Sequence, residues 1–346
     1  MSRVTRGVLG VSVAGAGASL PDRVVTNDDL ANRMDTSDEW IRTRTGIHSR
    51  HWVRPGQSTS DLAVDAGRRA LRSAGESRVD AIIVATTTPD RLCPAIAPEV
   101  AARLAMIGAA AHDVAATCTG FLYGLADAVG LIVSGVVDSA LVIGAETFST
   151  ILSPTDRSTA VIFGDGAGAL VLRAAGAGYP NHPGAIGSCV LGSDGSGSDL
   201  IQIPAGGSRQ RSSGRPVSEA DCYFQMRGKE VFRHAVQRMT AAAAEALERA
   251  GIDHHDIDHV VPHQANQRIL DAVALQLGID GKKVLSNVAT VGNTAAASIP
   301  LLLAQAGADG RVKPGEQLLL VAFGGGLTWG ATVLVWPDIV PDCGYL

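Results

Sequence analysis

The sequence predicts a layered α/β protein, written twice from one pattern, with mixed, mostly parallel sheets and helices on their faces. Three observations carry this. The stretch Arg69-Ala70-Leu71, closing on Ala74-Gly75 and followed by Val79-Asp80-Ala81-Ile82-Ile83-Val84, is echoed by Glu245-Ala246-Leu247, closing on Ala250-Gly251 and followed by Ile257-Asp258-His259-Val260-Val261. The β-branched runs Ile82-Ile83-Val84 and Val260-Val261 suit strands buried on both faces. Strand and helix alternate in both copies, which builds parallel sheets with reactive residues at strand ends.

Taken in order, residues 8–13 read as an opening strand that ends at Leu20-Pro21-Asp22. Arg3 and Arg6 before this apolar stretch imitate an export signal, but Gly7, Gly10, Gly15 and Gly17 interrupt it. Gly75 and Gly251 supply left-handed caps to the two echoed helices. Each copy continues with an apolar segment, Val114-Ala115-Ala116 or Asn287-Val288-Ala289, then a polar turn, an Ala-rich helix and a final strand at residues 140–143 or 318–321. The turns carry Cys118 in one copy and Asn293 in the other. The expected halves are residues 1–175, with the cysteine, and 176–346, with His263 and Asn293. Residues 193–218, rich in Gly, Ser and Pro, are expected to run over the surface as a lid or a plain connection.

Composition excludes several functions. A formal charge of -5 and a pI near 6.0 leave no basic excess for nucleic acid. No uninterrupted apolar run is long enough to cross a bilayer, so no membrane is expected. Five scattered cysteines without a C-x-x-C pair argue against zinc or disulfide chemistry and fit a reducing cytoplasm. Gly15-Ala16-Gly17 lacks the third glycine of a dinucleotide fingerprint, and the glycines of Gly164-Asp165-Gly166-Ala167-Gly168 are read as sites of close packing.

The chemistry gathers on three residues. Cys118 stands where an apolar strand ends and a helix begins, and helix-terminal N–H groups there can lower a thiol below its free value of about 8.5. His263 follows a buried strand and Pro262, at a strand end that feeds a crevice. Asn293, beside Gly292, offers an amide. Each alone has a structural reading: a buried cysteine, a hydrogen-bonded histidine, a turn asparagine. Together they supply a nucleophile, a base or donor, and a second donor. Gly324-Gly325-Gly326 lets a ligand approach backbone N–H groups, as an oxyanion hole requires. His48, His51, His182, His254 and His255 lie in polar turns and are expected to be solvated.

Further motifs extend this set: Thr36-Ser37-Asp38-Glu39-Trp40-Ile41, Arg44-Thr45-Gly46-Ile47, Phe163-Gly164-Asp165-Gly166-Ala167-Gly168, His263-Gln264-Ala265-Asn266, Gly292-Asn293-Thr294 and residues 323–330. In this order they resemble the thiolase-like condensing enzymes and, within them, the β-ketoacyl-acyl-carrier-protein synthase III family, over about residues 8–335. The resemblance implies the thiolase-like fold, layered α-β-α-β-α. It implies decarboxylative condensation of an acyl-CoA primer with malonyl-acyl-carrier protein, in fatty-acid or polyketide initiation, through an acyl-cysteine. Cys118 would accept the acyl group, and His263 and Asn293 would donate to the malonyl thioester oxygen. The N–H groups of Cys118 and Gly325 would form the other oxyanion hole. Trp40, Arg44 and Arg157 match positions that hold the nucleotide end of CoA, and Arg268 a position that docks the acidic carrier protein. Phe163 and Cys93 fall at the acyl pocket. A homodimer without cofactor or metal is implied, with acyl-CoA as substrate.

Two positions depart from the family pattern. Lys229 stands where an Asn often contacts CoA, and a cation there can still pair with phosphate. Cys93 precedes Pro94 where a bulky Phe often narrows the pocket across the dimer interface, so a primer longer or more branched than acetyl is expected. Other readings are an acyltransferase of the same fold that skips decarboxylation, a cysteine hydrolase, and a non-catalytic partner subunit. Two enolate donors exceed what simple transfer needs. The Cys-Gly-Ser/Ala-Cys signature of one hydrolase family is missing, and the retained Cys118 argues against a silent subunit.

Overall fold

The computed structural model describes residues 10–176 and 182–346. Arg3, Arg6, Gly7 and Val8, and the residues just after the expected junction of the halves, lie outside the described residues. Two sheets and three helical layers stack as α-β-α-β-α. The first sheet has six strands in the order Asp342–Tyr345, Gly10–Leu20, Gly166–Ala175, Ser139–Glu146, Ala81–Ala85 and Ala110–Val114. Three of its five ladders are parallel. The second orders His259–Pro262, Gln317–Gly324, Thr328–Val335 and Val190–Ser193, with one parallel ladder and two antiparallel.

The outer helices are amphipathic and capped. Thr59–Ala74 begins at Ser58, whose Oγ accepts the Asp61 N–H while the Asp61 carboxylate accepts the Ser58 N–H, and it ends at Gly75 with φ 66°. Gly228–Ala250 ends in the same way at Gly251, φ 68°. Between the sheets lie Gly120–Val133 and Ser298–Ala308, apolar on nearly every side because both faces are covered. The turn that leads into Ser298–Ala308 approaches the first sheet closely: a Cβ on Gly144 would sit 2.3 Å from the Ala296 carbonyl oxygen. Only glycine permits that contact.

The duplication extends to how the two middle helices start. Each is preceded by a 3-10 turn, Thr117–Thr119 or Ala295–Ala297, and each turn opens on a non-glycine residue at positive φ, Thr117 at 45° and Ala295 at 44°. In this register Cys118 corresponds to Ala296. Asn293 precedes the second turn and forms a parallel bridge with Phe163. The second copy also loses a strand. Where residues 110–114 pair with a neighbour, the C-terminal half keeps one bridge, Val260 to Val284, and then a short helix Val288–Val291. The Gln264 carbonyl Oε1 takes its place as partner, accepting from the N–H of Asn287 and the hydroxyl of Ser286.

Two expectations change. His51 is buried, not solvated: Nδ1 lies 2.7 Å from the Pro21 carbonyl, and burial lowers its pKa. Residues 193–218 are only partly a surface excursion, because Leu200 is buried and Ile201 pairs with Met226 before the exposed stretch begins. The C-terminal tail, past the matched motifs, is a strand: Asp342–Tyr345 runs parallel to Gly17–Leu20 and covers that sheet edge. Asp342 accepts from Arg69 at 2.9 Å and Arg72 at 2.7 Å. Asp342→Ala is expected to cost roughly 1 kcal/mol and to lower Tm by about 2 °C in calorimetry; an unchanged Tm would show that backbone pairing alone holds the tail.

Candidate active site

A cavity of about 610 Å³ opens at the seam between the halves and is lined by Cys118, His263 and Asn293 together. Each reaches it from the end of a strand or helix, or from the turn that starts one. Cys118 sits in the turn before Gly120–Val133. His263 follows the strand His259–Pro262, and Asn293 follows the left-handed Gly292.

The hydrogen bonds around Asn293 and His263 fix what they can offer. Asn293 Oδ1 accepts the Ala295 N–H at 2.9 Å, and because that N–H can only donate, the atom facing it is the oxygen. The amide NH2 is left for the cavity. His263 is buried, its Nδ1 lies 2.7 Å from Ser298 Oγ, and burial lowers its pKa to about 3. The imidazole is neutral at physiological pH, with Nε2 the ring nitrogen not engaged by Ser298. Above Cys118, Gly324 packs so closely that a Cβ would lie 2.9 Å from the Cys118 nitrogen. The Gly325 carbonyl accepts from Thr117 at 3.0 Å and Thr328 at 3.1 Å, which pins this turn against the cysteine.

The thiol departs from the expectation of a lowered pKa. Burial, with the Glu146 carboxylate second, pushes Cys118 up to about 12, against the pull of the helix terminus. Glu146 ends the strand Ser139–Glu146, fully buried, and accepts from Thr88 Oγ1 at 2.6 Å and the Thr87 N–H at 3.0 Å. Burial raises that carboxyl to about 7. The sequence reading missed Glu146 because nothing in Gly144-Ala145-Glu146 distinguishes it from a strand-end surface acid.

The mouth is cationic and aromatic. Trp40, Arg44, Lys229 and Arg268 line it. Arg44 and Arg157 both lie over the Trp40 ring, at 4.8 and 5.1 Å from its centroid, and Arg157 also donates to the Asp35 carbonyl at 2.6 Å. The inner wall is apolar. Phe163 stacks on Phe148 at 4.2 Å, and Phe224 meets both edge-on. Phe148 and Phe224 come from the 3-10 turn Phe148–Ile151 after Glu146 and from the residue before the strand Gln225–Met226, positions no local motif marks. Cys93 is not brought to this cavity within its own chain; residues 91–95 are exposed, Leu92 at 76%.

The chain has close likenesses among known proteins. Residues 112–195 match the model for 3-oxoacyl-[acyl-carrier-protein] synthase III, and residues 247–336 match its C-terminal model. The chain is 57% identical over 327 residues to β-ketoacyl-[acyl-carrier-protein] synthase III 5 of Streptomyces coelicolor, covering 94% of this chain and 97% of that protein. The chain belongs to the β-ketoacyl-acyl-carrier-protein synthase III family. As a synthase III it is a condensing enzyme of the transferase class with the thiolase-like fold. Another synthase III, from Pseudomonas aeruginosa, is 51% identical over 329 residues, 95% of this chain and 97% of its own. The crystal structure of the synthase III of Pseudomonas aeruginosa PAO1 superposes with a TM-score of 0.88 at 49% identity, covering 96% of this chain and all of that one. The priming β-ketosynthase of the R1128 polyketide pathway superposes at 0.89 with 34% identity, over 98% and 99% of the two chains.

Glu146→Gln removes the charge that disfavours the Cys118 thiolate, so the thiol pKa falls. Alkylation of Cys118, read by peptide mass at about pH 8, is expected to speed up several-fold; an unchanged rate would mean that Glu146 does not act on the thiol.

Proposed function

We propose that this synthase III primes with an acyl-CoA, passes the acyl group to Cys118 and condenses it with malonyl-acyl-carrier protein, releasing CO2. The observation that carries this reading is the pair of buried polar groups, His263 and Asn293, that meet at the cavity beside Cys118, the first with Nε2 not engaged by Ser298 and the second with its amide NH2 free of Ala295. Acyl-CoA enters with its nucleotide against Trp40, Arg44, Arg157 and Lys229, by stacking and phosphate pairing. Cys118 sulfur bonds to the thioester carbonyl while the CoA sulfur leaves and takes the thiol proton. The N–H groups of Cys118 and Gly325 hold the oxyanion of that step, and the helix terminus favours negative charge on the attacking sulfur.

Malonyl-acyl-carrier protein then docks its acidic surface on Arg268. As its carboxylate departs as CO2, the electron pair left behind is delocalised onto the thioester oxygen. His263 and Asn293 donate to that oxygen, more strongly as it gains charge, so they lower the barrier rather than only binding the ground state. The enolate carbon attacks the acyl-cysteine carbonyl, the Cys118 thiolate leaves and takes a proton from solvent water, and a β-ketoacyl-acyl-carrier protein results. Every group needed comes from protein or substrate, so no cofactor is invoked.

A homodimer fits two exposed features: the apolar stretch around Leu92 and Cys93, and the open edge of the strand Ala110–Val114. Cys93 of one copy would then close the acyl pocket of the other, and its small volume suits a longer or branched primer. The five cysteines are free, which suits a cytoplasmic enzyme. Among the described residues no helix is long and apolar enough to cross a membrane.

Intact mass after incubation with a panel of acyl-CoAs is expected to show one acyl adduct on wild type and none on Cys118→Ala, with CO2 released only once malonyl-carrier protein is added. An adduct without CO2 release would leave a simple acyltransferase. In the same assay Cys93→Phe is expected to shift preference toward acetyl by about 10-fold; a wild type that already prefers acetyl over longer and branched donors would contradict the proposed pocket.

A further inference from the structure

Ser298 opens the central helix Ser298–Ala308 and is buried outside the cavity lining. Its Oγ has two partners, His263 Nδ1 at 2.7 Å and the Gln264 backbone nitrogen at 3.4 Å. The Gln264 N–H can only donate, so it takes a lone pair of Oγ. The hydroxyl proton remains, and His263 Nδ1 is the acceptor it faces among the described residues. In the opposite arrangement, Nδ1–H and the Gln264 N–H would both point at Oγ, and a buried hydroxyl proton would have no acceptor.

We propose that Ser298 is a positioning residue that sets the tautomer of His263, donating to Nδ1 so that Nε2 carries its proton into the cavity. The inference rests on the condensing function above, and it assigns the group that makes His263 a donor rather than an acceptor toward the enolate. Two further features favour the same state. The N-terminus of the helix Ser298–Ala308 lies beside the ring, and its partial positive charge disfavours an imidazolium. Burial acts in the same direction and lowers the pKa of His263. With Nδ1 accepting and Nε2 donating, the neutral ring has one defined face for the substrate. Without Ser298 the proton can settle on Nδ1, and Nε2 then presents a lone pair to an oxygen that is gaining negative charge.

The two half-reactions separate this role from a structural one. Acylation of Cys118 needs no donor at Nε2, whereas loss of CO2 does. Ser298→Ala is expected to acylate within about threefold of wild type and to release CO2 from malonyl-carrier protein on the order of 10²-fold more slowly, with Ser298→Thr restoring most of that rate. Nitrogen NMR of isotope-labelled histidine, assigned with His263→Gln, is expected to show His263 protonated on Nε2 in wild type and partly or wholly on Nδ1 in Ser298→Ala. A wild-type proton on Nδ1, or a Ser298→Ala enzyme that loses both half-reactions equally or neither, would overturn the proposal. Should wild type fail to acylate at all, the condensing function falls while the NMR result still decides the role of Ser298.

Discussion

The acceptor atom of Asn293 is consumed by the Ala295 N–H and Nδ1 of His263 is engaged by Ser298, so what each residue has left for the cavity is set from behind. Much of the molecule serves to keep this so. Ala295 can meet Oδ1 because the chain turns there at positive φ, and the turn stays in place because Gly144 lets the first sheet pass under Ala296. Gln264, between His263 and the stretch at residues 286–288, ties the histidine to the segment that leads to Asn293. Buried polar groups with every partner assigned have one low-energy arrangement, and two donors aimed at one place suit an oxygen that gains charge during reaction.

Cys118 lives under opposing influences. The helix terminus favours a thiolate; burial and Glu146 oppose it more strongly, and the resting thiol stays protonated. A thiol that is neutral at rest is protected from adventitious oxidation, which proceeds through the thiolate. Thioester exchange between two sulfurs can still run, because the proton that leaves Cys118 goes to the departing CoA sulfur and no net charge is left buried.

The sequence alone revealed the elements with strong local signals. The echoed helices, their glycine caps and the β-branched strands all stand where the residues place them, since period and cap chemistry are local properties. Cys118, His263 and Asn293 could be picked out, and the cavity gathers all three. What the sequence withheld is relational. Glu146, Ser298, Phe148 and Phe224 matter through partners 15 to 76 residues away in the chain, so no window around any of them is unusual. His51 looked like a turn histidine because its partner, the Pro21 carbonyl, is 30 residues distant. The tail at residues 342–345 was opaque because a strand of four residues acquires meaning only from the edge it covers.

The most direct test is the pH profile of CO2 release from malonyl-carrier protein by enzyme already acylated on Cys118. A neutral His263 that donates from Nε2 has no proton to gain or lose near its ordinary value of about 6.5, and its buried pKa of about 3 lies well below that range. The rate should therefore show no histidine limb between about pH 5.5 and 8. A limb near 6.5 that persists in Glu146→Gln, and so cannot come from that carboxyl, would mean that His263 titrates during turnover and acts as an acid or base instead.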